Sequence, residues 1–206
     1  MKKQDYAGIS PHQYTGTEIG ADASIELNDE TDARSFYETA KDRLLNVNNW
    51  HKVAGLVSAS FQLVDATGQE VDRKVEKGDF LKIDIPGPGS SQGVGYDWVT
   101  VEERKEIAEG DNQSIGFRVR PAQNPHGSKK ETAHFYSSEA TSNFIVMREK
   151  TKITSWIIDR NIKPNNHADG VMDKVRDVAI GIGAIGMFSK VQWQGLADGL
   201  IKKDED

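Results

Sequence analysis

Between residues 56 and 162 the apolar residues recur every second position; on either side they recur every third or fourth. That change of period limits the fold more than any other feature. Leu81, Ile83 and Ile85 alternate with Lys82 and Asp84, and Ile115, Phe117 and Val119 alternate with Gly116, Arg118 and Arg120. Successive side chains on a strand point to opposite faces, so each run reads as an antiparallel strand with one buried and one wet face. Candidate strands are 56–64, 79–85, 96–107, 114–120, 132–138, 142–149 and 151–160. Asp65-Ala66-Thr67-Gly68, Glu109-Gly110-Asp111-Asn112 and Asn124-Pro125-His126-Gly127 supply turns between them.

The flanks are helical. Ala33, Phe36, Tyr37, Ala40 and Leu44 share one face, after cap candidates and acids at 28–32. Arg34 and Glu38 are spaced to pair on the wet side. Near the other end Val171, Val175, Val178, Ile182 and Ile185 form one stripe, and apolar residues run all the way round from 178 to 188. A C-terminal helix over about 168–201 is expected, covered on more than one side. Ala23 to Leu27 reads as a short first strand, and residues 1–22 as a flexible N-terminal arm. The expected fold class is α+β: one domain over 23–206, with an antiparallel sheet of about six or seven strands between an N-terminal and a long C-terminal helix. A small barrel or sandwich with peripheral helices is the alternative.

Composition removes whole chemistries. None of the 206 residues is cysteine, so thiol nucleophiles, Cys zinc sites, iron–sulfur clusters and disulfides are excluded. The net charge of −6 disfavours nucleic acid. Arg118, Arg120, Lys129 and Lys130 form a basic cluster without interleaved stacking rings, and read as a solvated face. The longest apolar run, Val178 to Phe188, is too short to span a hydrocarbon core about 30 Å thick. The start of the chain lacks a signal-peptide apolar region, so the cytoplasm is expected.

The motifs are sparse. Gly181-Ile182-Gly183-Ala184-Ile185-Gly186 fits G-x-G-x-x-G, but a helical pattern precedes it where a dinucleotide site needs a strand. Close packing is the better reading, because glycine costs a helix about 1 kcal/mol against alanine. Pro86 to Gly95 reads as a long hairpin loop, with a lid at a cavity mouth as the functional alternative. The five histidines lack metal-ligand spacing, no G-x-S-x-G occurs, and neither a cofactor nor a metal is implied. His134 alone lies inside a candidate strand beside aromatic residues. Residues 144–147 and 156–158 are apolar on both strand faces, so both need a cover: core on one side, and the arm, a helix or a second subunit on the other.

The element order is similar to the helix-grip fold of the START and polyketide-cyclase-like superfamily. The segment Leu44-Leu45-Asn46-Val47-Asn48-Asn49-Trp50-His51-Lys52-Val53 resembles the stretch after that superfamily's first helix, and the apolar, small-residue C-terminal helix resembles the one that closes the grip. The resemblance implies a curved sheet and an apolar cavity between it and the last helix. Members of that superfamily mostly bind small hydrophobic molecules and some catalyse cyclisation; non-catalytic binding of a small apolar ligand, with no cofactor, is the expectation here. Ligand-binding residues would be Phe117, Tyr136, Trp156, Ile182 and Met187, with His134 as a polar contact. The competing reading is a structural or protein-interaction module, a homodimer without ligand. Enzymatic activity has no motif to support it.

Overall fold

The computed structural model describes residues 8–55, 59–85, 95–127, 131–165 and 178–203, and from 178 to 188 the backbone only. In chain order the elements are β1 (Thr17–Glu26), α1 (Glu30–Leu45), a 3-10 turn (Val47–Asn49) and α2 (Trp50–Ala54). β2 (Ser60–Val64), β3 (Phe80–Asp84), β4 (Asp97–Glu109), β5 (Asn112–Pro121), β6 (Thr141–Glu149) and β7 (Lys152–Ile162) follow, and α3 (Val178–Leu200) closes the chain. The strands form one antiparallel sheet in the order β1-β7-β6-β5-β4-β3-β2. Its end strands do not pair with each other, so it is an open, curved sheet rather than a barrel. With α3 along its inner face, this is the helix-grip architecture expected from the sequence.

Tight turns fix the register. β4–β5 and β6–β7 are joined through Gly110-Asp111 and Lys150-Thr151, whose first residues have φ of 58° and 55°. Across β5, β6 and β7 the inner face then forms rows: Gln113–Arg148–Ile153, Ile115–Val146–Ser155, Phe117–Phe144–Ile157 and Val119–Ser142–Asp159. The middle rows join the main core with the inner residues of α1, α2 and α3.

α1 begins where Asp29 caps it by accepting from the Asp32 backbone N–H at 2.9 Å. Ala33, Tyr37, Ala40 and Leu44 are buried as their spacing requires. Arg34 pairs with Glu30 and Asp111 instead of the expected Glu38, which takes Lys41. After α1, Asn48 receives the Leu63 N–H and donates to the Val71 carbonyl, locking the 3-10 turn to β2. Trp50 is buried, its indole N–H directed to the Arg43 and Leu44 carbonyls at 3.2 and 3.1 Å. α3 passes so close to α2 that a Cβ on Gly195 would stand 2.7 Å from the Ala54 carbonyl oxygen, and one on Gly199 would overlap that of Val53. The Arg43 guanidinium satisfies the Gly199, Leu200 and Lys202 carbonyls at the end of α3.

Three expectations change. β1 starts at Thr17, not Ala23; an edge strand wet on one face needs few apolar residues, so its first half carries little signal. Within the 1–22 arm, residues 9–16 are tied down. Arg118 donates to the Ile9 carbonyl, Arg160 to that of Pro11, and Asn161 Oδ1 accepts from the Tyr14 and Thr15 N–H groups. The fully buried Ile9 seats where Gly116 lacks a side chain, beside Ile145, so the chain's own arm covers part of the outer apolar face. The third change concerns 132–138, which is no strand. Among the described residues only Tyr136 of this segment forms a bridge, to Pro164: Ala133 and Ser137 donate to single backbone carbonyls, and side chains take the N–H groups of Phe135 and Tyr136. Asp97 Oδ1 accepts from the Phe135 N–H and His134 Nδ1 from the Tyr136 N–H. The 86–94 part of the glycine–proline loop, His167 and the expected helix start at 168–177 lie outside the described residues.

Candidate functional site

At one end of the inner face the described side chains of the sheet and α3 leave space between them. Phe61, Leu81, Ile83, Ile85, Val99, Val119 and Phe144 floor a hollow there, walled by His134, Phe135 and Tyr136 and roofed by Ser189, Gln192 and Trp193 of α3. The space open to a water molecule within it is about 40 Å³; the whole concavity, open solvent included, is about 510 Å³. That room takes about three waters and lies far below the several hundred cubic ångströms expected of a ligand cavity.

The polar groups come from the last inner row, where β6 and β7 place Ser142 and Asp159 opposite each other. Asp159 is 2% exposed. Its Oδ2 accepts the indole N–H of Trp193 at 2.7 Å, and the Ser142 hydroxyl lies beside the carboxylate, while Oδ1 makes no hydrogen bond of good geometry among the described residues. Burial pushes its carboxyl up to about 6, against the pull of Ser142 and Trp193. Burial drives His134 down to about 3. Since its Nδ1 accepts from the Tyr136 N–H, the proton of the neutral ring is on Nε2. The Tyr136 hydroxyl stands 3.4 Å from Ser189 Oγ, and burial raises it to about 12. Behind this wall Asp97 is also buried and is pushed up to about 7. No lysine or arginine is among the described residues lining the hollow.

His134 and Tyr136 therefore meet at the hollow. Phe117 lies one row deeper, stacked on Phe144 at 5.1 Å and on Trp50 at 5.9 Å, as core. Trp156 is on the opposite face, clustered with Ile145, Met147 and Ile158; the β7 inner set is Ile153, Ser155, Ile157 and Asp159. It is withdrawn from the lining, because a one-residue step along a strand changes faces. Ile182 and Met187 fall in the part of α3 whose side chains lie outside the described residues. Sequence reasoning missed Asp159, although an acid at an inner-face position of an otherwise apolar strand breaks the alternation and could have marked it.

No family model matches this chain, and no curated protein does either. Among solved structures, a hypothetical protein of Helicobacter pylori is similar with TM-score 0.47 and 10% identity, over 89% of this chain and 87% of that one. The di-domain ARO/CYC BexL from the BE-7585A biosynthetic pathway gives 0.38 and 12%, over 91% and 51%. Major latex-like protein 151 of Panax ginseng gives 0.36 and 15%, over 83% and 99%. These are likenesses of chain path, and the site is read from its own residues. No helix among the described residues is long and apolar enough to cross a membrane.

Proposed function

We propose that this chain binds a small molecule with an apolar body in the hollow between sheet and α3, as a member of the START and polyketide-cyclase-like superfamily. The observation that carries this reading is an apolar, aromatic-rich concavity with a few convergent polar groups at one end, the usual make-up of a small-molecule site. Each 100 Å² of apolar ligand surface removed from water contributes about 2.5 kcal/mol. A space of about 40 Å³ requires the walls to part on entry. Binding without turnover is the favoured reading because His134, the hollow's histidine, has its basic nitrogen engaged by a backbone N–H.

Native mass spectrometry of gently purified protein, followed by the same sample denatured, tests this. A mass excess that vanishes on denaturation is the expected result. A bare chain that also gains no thermal stability from small aromatic compounds at millimolar concentration would end the proposal.

A further inference from the structure

We propose that the ligand is a small ammonium compound with an aromatic or aliphatic body, its charged nitrogen held by Oδ1 of Asp159. This deepens, and rests on, the binding function proposed above.

The argument starts from an incomplete carboxylate. Asp159 is 2% exposed and lines the hollow, with one oxygen filled by Trp193 and the other without a hydrogen bond of good geometry among the described residues; the Ser142 hydroxyl, opposite it on β6, is a second neutral group beside the carboxylate. A buried acceptor left open costs about 1–3 kcal/mol, more when charged. Among the described lining residues nothing compensates the charge. Trp193 is a neutral donor, and the described lining contributes no lysine or arginine. A neutral ligand hydroxyl would fill the open oxygen and leave a bare negative charge in apolar surroundings; an ammonium fills both needs. The walls suit a cation too. Phe135, Tyr136, Phe144 and Trp193 present rings around the same space, and ring faces attract ammonium groups.

Isothermal titration of the full chain at neutral pH with 2-phenylethylamine and with 2-phenylethanol, equal in size and differing in charge, tests it. The amine should bind at least about tenfold tighter, as expected for a hydrogen bond to a charged group. Asp159→Asn should erase that preference and leave the affinity for the alcohol within about threefold, since Asn fills nearly the same space. Trp193→Phe tests the same point without altering the carboxylate: it frees the second oxygen, and the preference should widen. Equal affinities for amine and alcohol would overturn the ammonium assignment and leave the pocket standing. An amine preference that survives Asp159→Asn would overturn the role of Asp159. Failure of both compounds to bind would remove the pocket and the ammonium reading together.

Discussion

Two adjacent rows of the inner face, about 7 Å apart along the strands, are treated in opposite ways. The Phe117–Phe144–Ile157 row is filled with rings, and only Phe144 of it reaches the hollow: Trp50 packs on Phe117 and Phe144 with ring centroids 5.9 and 4.7 Å away, and Trp193 meets Phe144 edge-on at 5.3 Å. The Val119–Ser142–Asp159 row is left open, with an acid in place of a hydrophobe and an irregular wall in place of a helix. The contrast shows where regular packing stops. Helix α2 delivers one large ring to the first row, whereas the second is bordered by 134–136, a segment held by side-chain acceptors instead of a ladder. A filled core and a site can thus differ by a single step of two residues.

The sharpest way to break this contrast is Trp50→Ala. If the deep row is a filled core, truncation should cost about 3–5 kcal/mol, measured by urea unfolding. Tyr136→Phe, at the open row, should cost less than about 1 kcal/mol, because it removes one long hydroxyl contact and no ring. Similar costs for the two would mean that the rows are packed alike.

What could be read from the sequence follows the same division. The inner rows of β5 and the apolar face of α1 were legible because period and burial coincide there: Ile115, Phe117 and Val119 are buried, as are Ala33, Tyr37 and Ala40. The segment around Trp50 was marked through its resemblance to a known family. The hollow was half legible. His134 and Tyr136 stood out as aromatic neighbours, but on a strand that does not form, since no propensity reports that Asp97, far back in the chain, will capture the Phe135 N–H. Trp156 was assigned to the wrong face because a strand apolar on both sides has no phase. The packing of the glycine motif at 181–186 lies outside the described side chains, and Gly195 and Gly199 carry the close approach to α2. Four-residue spacing puts them on one helix face, a signal that was present and went unused.

Those two glycines give the next test. α3 runs from the open row, at Ser189 and Trp193, to the deep end, where Gly199 lies against Val53. In a free helix Gly→Ala gains up to about 1 kcal/mol. Here Gly199→Ala should reverse the sign and cost about 3 kcal/mol, because its Cβ would overlap backbone that cannot move without displacing α2. Gly195→Ala, whose Cβ would stand 2.7 Å from Ala54 oxygen, should cost less. A thermal melt in which Gly199→Ala is neutral or stabilising would show that α3 is not pinned at the deep end.

Charge separates the two regions as well. Burial raises Asp97, behind the 134–136 wall, to about 7 from an ordinary value of 3.8. The folded state therefore holds a proton that the unfolded chain has already released, and Asp97 costs the protein stability progressively as pH rises from about 4 to about 7. Asp97→Asn keeps an oxygen for the Phe135 N–H and cannot ionise. Relative to the natural protein, the variant should gain from near zero at pH 4 to about 2 kcal/mol above pH 7, roughly half the full linkage value for such a shift. His134, held down to about 3, acts in the opposite sense: stability rises between about pH 3 and 6.5 as the unfolded histidine releases its proton. That term, and the one from Asp159, is present in both proteins and cancels in the difference. The cost of Trp50→Ala involves no titrating group and should stay flat across the same range. Urea unfolding at pH 4.5 and 7.5 reads both at once. A flat Asp97→Asn difference would mean that the open end is as indifferent to charge as the filled one.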